Sequence, residues 1–588
     1  MSALDQRFSR RRLLSAGAGI ALGAGASQLG WLARGAAAAG VRAPGSLPYP
    51  SLPAGAATGA MPFEHIVVVM MENHSFDNYF GMLPVRGQPA ADGFSFDASG
   101  TPTNSNPYQD GYAYVQHATS MCQPVDISQS WDSTHEEIDN GKMDGFANVD
   151  TGQMLYWDQA DIPFYYSLAN TFTLANRWFC SAPCQTYPNR RFLMAGTAYG
   201  LVSTTTSSIT DYPPNGTIFD LLSKYGVSWT DYYSDLPQAA IIFDTMLKYP
   251  SNIQPVAKFF ADCAAGTLPS VSFVDPEFGV AGDVASPLAD VPIPGVPALG
   301  NQIATQSGDE ENPADITIGE NFMSSIVNAV LKSPAWPNTL LVWTYDEHGG
   351  YYDHVPPAAA LEPDSIQPVL AAGDYPGAYN LYGVRVPAVV VSPYSRAHAV
   401  TDVVHDHTSV LATIEAQWNL PALTYRDANA ATVADFLDPT TPTFLTPPTL
   451  AAPGSLLDSE LDCSDADPTL TVHSSPRGSS GSSGKHGSSG SGASSLSAKV
   501  RLRWRGRDRK QNGVLVEVAA RDGALRHVEI ELTRGKVVVA YATLARLGKD
   551  WKKVVLHARP HRRFTKGWYQ LTVSDGSTVL LSRRVRIG

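Results

Sequence analysis

The chain has 588 residues, enough for one large domain of catalytic size and a smaller companion. Its 44% hydrophobic and 16% charged residues exclude a disordered, collagenous or coiled-coil protein. With 42 basic against 55 acidic residues, net −13, a chain devoted throughout to nucleic acid is excluded as well.

At the N-terminus, Ser9-Arg10-Arg11-Arg12-Leu13-Leu14 resembles the twin-arginine export motif. An uncharged, Gly/Ala-rich stretch from Leu13 to Ala33 and a small-residue run, Ala36 to Ala39, follow it. We read residues 1–39 as a cleaved Tat signal, and expect a secreted, periplasmic or cell-surface protein. The competing reading is a membrane anchor, for which the apolar stretch is just long enough. Residues 40–60 are a Pro/Gly/Ala-rich leader, 61–473 the large domain, 474–498 a Ser/Gly tether and 499–588 a separate basic module. Cys122, Cys180, Cys184, Cys263 and Cys463 lack paired C-x-x-C spacing; one or two disulfides are expected, since five thiols cannot all pair within one chain.

In the large domain, apolar runs alternate with helical patterns, which predicts an α/β fold: a mostly parallel sheet with helices on both faces. The best strands are His65 to Met71, Val227 to Tyr233, Ser270 to Val274, Thr339 to Tyr345 and Val386 to Ser392. Two of them run straight into polar residues, Glu72-Asn73-His74-Ser75 and Asp346-Glu347-His348-Gly349-Gly350. Ligands of open α/β sheets bind at strand C-termini, so the two motifs together indicate a shared polar site, with the paired glycines permitting close backbone approach. Either motif alone reads equally well as a loop start or a helix cap. A third piece is Cys180-Ser181-Ala182-Pro183-Cys184-Gln185-Thr186-Tyr187-Pro188-Asn189-Arg190. Pro188 marks a helix start, which leaves Thr186 where free N–H groups and the helix dipole favour an anion, with the Arg190 fork nearby. In isolation Thr186 is an ordinary cap.

Taken together, Glu72-Asn73-His74-Ser75-Phe76-Asp77-Asn78-Tyr79-Phe80-Gly81, Thr186-Tyr187-Pro188-Asn189-Arg190 and Asp346-Glu347-His348-Gly349-Gly350-Tyr351-Tyr352-Asp353-His354-Val355 resemble the bacterial phosphoesterase family of exported phospholipases C and acid phosphatase A. The resemblance covers about residues 62 to 440. It implies an alkaline-phosphatase-like core in which Glu72, Asn73, Thr186, Asp346 and Glu347 ligate a divalent metal and Thr186 is the nucleophile. A metal would lower the pKa of the threonine hydroxyl and stabilise the transferring phosphoryl group. Hard oxygen ligands suit Ca²⁺, Mg²⁺ or Mn²⁺, and zinc is common in the wider superfamily, so one or more divalent ions of open identity are expected. His135, His348 and His354 are candidates for the acid and base of a phospho-threonine cycle. His135 and Asp144 fall in Ser130 to Phe146, which also looks like a family segment, and Asp144 and Arg190 are expected on the substrate side. His405-Asp406-His407-Thr408-Ser409 supports the site or merely caps a helix, and His74 packs beside the ligands. Trp131, Tyr345, Tyr351 and Tyr352 stack on a quaternary ammonium head group or, for most, fill the core.

Beyond the tether the charge reverses. From Lys499 onward there are 22 basic and 7 acidic residues, net +15, leaving net −28 for residues 1–498. Short alternating runs predict a β-sandwich-like module. Arg501, Arg503, Arg505, Arg507 and Arg509 alternate, so an extended strand would carry them as one positive stripe for anionic lipid, cell-wall polymer or, through charge alone, nucleic acid, or else as a solvated face. No specific nucleic-acid partner is expected. The functional reading is an exported phosphoesterase, phospholipase C-like, acting on a phospholipid or other phosphoester. The alternatives are a broad acid phosphatase, and a surface-binding protein with an inactive core.

Overall fold

Ile66 to Val69 are four consecutive β-branched residues continued by two methionines, a run with no polar face to offer water. In the computed structural model of the protein they form β1 (His65–Met71), buried from its second residue onward. The structure describes residues 40–456, apart from 60, 109–110, 119, 123–126, 206–207, 279–307 and 313, together with Cys463 and the strands between 500 and 587. The twin-arginine segment and the whole of the Ser/Gly tether lie outside the described residues.

The other strands of the main sheet are β2 (Thr173–Ala175), β3 (Trp229–Tyr233), β4 (Ile253–Pro255), β5 (Val271–Val274), β6 (Thr339–Tyr345), β7 (Ala388–Val391) and β8 (Val400–Thr401). Their order is β8-β2-β7-β6-β1-β5-β3-β4. β7 runs antiparallel to β6 and to β2, and every other pair is parallel. The central pair is in full register, with His65 opposite Thr339 and Met71 opposite Tyr345. Glu72 and Asp346 therefore leave the sheet side by side at its carboxyl edge. The helices of this domain include α1 (Trp131–Ile138), α2 (Thr186–Ala195), α3 (Ile316–Lys332) and α4 (Thr408–Trp418). No helix among the described residues is long and apolar enough to cross a membrane.

The Pro/Gly/Ala-rich leader is bound to the fold. Asn419 ends α4 in the left-handed conformation at φ 46°, which turns its amide onto the leader. It accepts from the Tyr49 N–H at 2.9 Å and donates to the carbonyls of Tyr49 and Leu52. Cys122 and Cys463 form a disulfide that joins residues 341 apart in sequence, and Cys180, Cys184 and Cys263 are free and buried.

The chain divides into two compact units at Ser479/Ser480. The second unit contains β9 (Val500–Asp508), β10 (Gly513–Ala520), β11 (Leu525–Arg534), β12 (Val537–Leu547), β13 (Lys552–Ala558), β14 (Gly567–Asp575) and β15 (Thr578–Ile587). They make one seven-stranded antiparallel sheet, ordered β9-β10-β13-β12-β11-β14-β15. Alternate residues such as Val514, Val516, Val518, Ile530, Leu532 and Leu571 are buried in a core of its own. The edge strands β9 and β15 approach one another, so the sandwich-like module takes the form of a single sheet curled over that core. A β-bulge between Trp504 and Gly506 shifts the pairing of β9 with β10, so Arg501 and Arg503 do not share one unbroken register with Arg507. Arg509 lies outside the described residues.

Candidate active site

The ends of β1 and β6 build the floor of the site. Asp346 Oδ1 accepts from the Asn73 N–H at 3.2 Å and from the Glu347 N–H at 2.7 Å, which ties the two motifs together. Asn73 is left-handed at φ 72°, a conformation asparagine tolerates better than most side chains. Gly349 is left-handed too, at φ 63°, and a Cβ there would collide with the Asn73 carbonyl oxygen. Only glycine lets these two loops close on each other.

Thr186 is the first residue of α2, after an N-cap, Gln185, whose side chain makes no capping bond. Asn189 holds the approach to this helix. Its amide accepts from the Ala182 N–H and donates to the carbonyls of Ala182, Cys184 and Gln185. One turn beyond Thr186, on the same helix face, Arg190 is fully buried. It donates to the Met70 and Met71 carbonyls at the end of β1 and lies 3.5 Å from Glu72 and 3.3 Å from Asp346. The guanidinium read from the sequence as a substrate ligand is thus turned onto the sheet edge and the acids themselves. The Cys184 thiol is pushed up by burial and by the charge of Glu347, and the Tyr187 hydroxyl by burial and by Glu72.

The acids brought together here are buried, and their electrostatics follow from that. Burial pushes Asp346 well above the usual carboxylate range; Arg190 opposes the shift while Glu72 and Glu347 add to it. Glu347 is raised chiefly by burial. Three buried oxygens, Asn73 Oδ1, Asp346 Oδ2 and Glu347 Oε1, accept no hydrogen bond. Buried polar atoms are normally satisfied, and hard oxygens without donors are what a divalent cation requires. The residues present therefore fit the metal that the sequence motifs imply.

His348 lies between two carboxylates, with Nε2 2.8 Å from Glu137 on α1 and Nδ1 3.1 Å from Glu347. Burial disfavours its charge, but Glu137 and then Glu347 outweigh burial and push it up to about 10. His407 donates from Nε2 to the Asp346 carbonyl at 2.7 Å, its Nδ1 is unpartnered, and burial lowers it to about 4. His407 is the N-cap of α4 and has no capping bond. Thr408 donates to Asp406, which also accepts from Ser181 in the loop before α2. His74 is stacked between Tyr79 and Tyr351, and burial lowers it to about 3. Tyr345 donates to Glu310 in the core, and Tyr351 is buried beside His74.

His135 and Asp144 line a cleft of about 700 Å³, together with Asp132, Glu136 and Tyr375. His135 donates from Nδ1 to the Trp131 carbonyl at 2.7 Å and stacks on Tyr375, and burial lowers its pKa. At neutral pH that leaves Nε2 as the basic nitrogen. Trp131, one turn earlier on α1, packs in one apolar cluster with Cys184 and Phe192, which stand on either side of Thr186 in sequence.

His354 belongs to a different cluster. Its Nδ1 is 2.7 Å from Asp77 and its Nε2 3.4 Å from Asp92, while Arg385 joins Asp77 to Asp353. Burial opposes its charge, but Asp77 and Asp92 prevail and push it up to about 10 from an ordinary 6.5. Its pKa is higher in the folded than in the unfolded chain, so its stabilisation is complete below about pH 6.5 and is lost as pH rises toward 10. Wild type is expected to lose denaturation midpoint between pH 7 and 10, and His354→Gln to lose less over that window. Equal slopes in urea melts at the two pH values would exclude this role.

Sequence reading did not find Asp309, Glu137 or Glu311. The Glu72 N–H donates to the Asp309 carbonyl, and burial, with Glu72 and Glu311 adding, pushes the Asp309 carboxyl well above its usual range. The triple acid run Asp309-Glu310-Glu311 is the only signal that pointed to it.

A family model described as the Phosphoesterase family matches residues 63–421. The chain belongs to the phosphoesterase family. It is accordingly a hydrolase of phosphoric ester bonds. Among its relatives are non-specific phospholipase C1 of Arabidopsis thaliana, 30% identical over 63% of this chain and 70% of that one, and non-specific phospholipase C6 of the same plant, 29% identical over 64% and 72%. A bacterial relative, the non-hemolytic phospholipase C of Burkholderia pseudomallei, is 28% identical over 63% of this chain and 57% of its own. Among solved structures, an alkaline phosphatase superfamily protein from Vibrio parahaemolyticus is similar at 12% identity and a TM-score of 0.27, covering 59% of this chain and 77% of that one.

Proposed function

We propose that this phosphoesterase is an exported, phospholipase C-like enzyme that cleaves a phosphodiester through Thr186. The observation that carries the reading is the set of buried oxygens on Asn73, Asp346 and Glu347 that accept no hydrogen bond, at the sheet edge where α2 begins. Glu72, Asn73, Thr186, Asp346 and Glu347 would hold a divalent ion, which when bound lowers the pKa of the threonine hydroxyl and offsets charge on the phosphoryl oxygens. Thr186 attacks from the N-terminus of α2, where the helix dipole favours the incoming anion. Arg190 lies between Glu72 and Asp346 and holds them apart. Diacylglycerol leaves as its alkoxide and takes up the proton that the threonine hydroxyl gives up, and His135, neutral and open to the cleft at Nε2, serves as base for the water that then releases the phosphorylated head group from Thr186. The acids and the Tyr375 ring of that cleft favour a cationic head group. Export is supported by the twin-arginine motif and by the Cys122–Cys463 disulfide, which suits an oxidising compartment. The basic C-terminal unit would hold the enzyme at an anionic membrane or cell wall.

The test is an assay of the secreted protein on phosphatidylcholine, phosphatidylinositol and a phosphomonoester, before and after chelation. We expect diacylglycerol release from phosphatidylcholine, lost on chelation and restored by a divalent ion, from protein lacking residues 1–39. Hydrolysis of the monoester alone would replace the reading with an acid phosphatase, and no hydrolysis of any substrate would leave a binding protein.

A further inference from the structure

Asp309 and Glu311 flank a residue that is turned the other way. Glu310 is left-handed at φ 81°, and its carboxylate accepts from the hydroxyls of Tyr79, Tyr165 and Tyr345 inside the core. With Glu310 held there, its two neighbours present their carboxylates to one place. One ligand oxygen each from Glu72, Asp309 and Glu311 lies within 4.8 Å of the others. Asp309 is fully buried; its Oδ1 accepts from the Glu311 N–H at 3.0 Å, while Oδ2 accepts no hydrogen bond.

Charge makes the same point independently. Glu72, Asp309, Asp346 and Glu347 are buried together, and Arg190 is the guanidinium that touches two of them. His348 is already balanced by Glu137. One divalent ion and Arg190 leave this group one charge short of neutrality, and two short once Glu311 is counted. Uncompensated buried carboxylates are costly, and a second cation is what their oxygens are arranged to take.

We propose that Glu72, Asp309 and Glu311 bind a second hard divalent cation, with Glu72 shared between it and the ion held with Asn73, Thr186, Asp346 and Glu347. The second site rests on the first only through that shared residue. Carboxylate oxygens select Ca²⁺, Mg²⁺ or Mn²⁺ over thiolate-preferring ions. Glu311 is the least buried of the three ligands.

Mn²⁺ is the probe. Purified full-length protein is stripped by chelation and dialysed against Mn²⁺, bound metal is counted, and the paramagnetic resonance spectrum is recorded. We expect two equivalents in wild type, with the signature of a spin-coupled pair, and one uncoupled equivalent in Asp309→Asn and in Glu311→Gln. Asp346→Asn should lose the other ion. One equivalent in wild type that Asp346→Asn removes and Asp309→Asn spares would overturn the second site and leave the first. Two equivalents in both Asp309→Asn and Glu311→Gln would overturn it as well, and none in wild type would overturn both readings. If Asp309→Asn fails to fold, Glu311→Gln decides, since that side chain is partly exposed.

Discussion

Thr186→Ala should fold and turn over no phosphodiester, with activity down on the order of 10⁴-fold or more, as when other hydrolases lose their nucleophile. Thr186→Ser should keep measurable activity, because the hydroxyl survives and only a methyl group is lost. The structure strengthens the contrast with a capping role. Thr186 is the first helical residue, not the cap, and even a lost cap would cost only about 0.5 to 2 kcal/mol. Rapid quenching of wild type with a substrate labelled in its phosphate should trap label on the peptide containing Thr186. An active Thr186→Ala enzyme would refute the assignment. A folded, inactive variant with no trappable adduct in wild type would make Thr186 a metal ligand and water the attacking group.

The second large effect belongs to Arg190. Arg190→Met should destabilise the metal-free protein by about 3 to 5 kcal/mol, the usual consequence of removing one partner from a buried ion pair. Its guanidinium separates Glu72 from Asp346 and donates to the Met70 and Met71 carbonyls, so the variant leaves two buried acids without their cation and takes a donor from each carbonyl. Arg190→Lys keeps the charge but cannot fork between β1 and Asp346, and should fall between the two. Urea melts of the three proteins in chelator measure this directly. A wild-type midpoint for Arg190→Met would show that the acids are already neutral or separated by something else.

The sheet was legible because its central strands are apolar from end to end. His65–Met71 and Thr339–Tyr345 are strands with the expected bounds, and the polar residues after them mark the sheet edge. The short strands Thr173–Ala175 and Val400–Thr401 were not, since two or three residues carry no period. At the site, the helix start at Thr186 followed from Pro188 and the motif around it. The orientation of Arg190 did not follow, because an arginine one turn into a helix reads the same whether it faces a substrate or a strand end. Asp309 reaches Glu72 through a backbone hydrogen bond between distant segments, and nothing local announces that contact. The bulge in β9 likewise depends on its partner strand, which an alternation of arginines cannot report.

The pairing of the central strands also bears on how the chain is made. Asn73 and Asp346 are 273 residues apart, and β1 has its two partners in β5 and β6, both late in the sequence. At roughly 5 to 20 residues per second of synthesis, β1 leaves the ribosome on the order of 15 to 55 s before the strand that completes its pairing. Until β5 emerges Ile66-Val67-Val68-Val69-Met70-Met71 is an uncharged strand with both edges open, and until β6 emerges one edge stays open, the kind of segment that aggregates or recruits a holdase. A cation held with Asp346 and Glu347 must therefore arrive after translation has passed Glu347, because a shorter nascent chain lacks those two ligands.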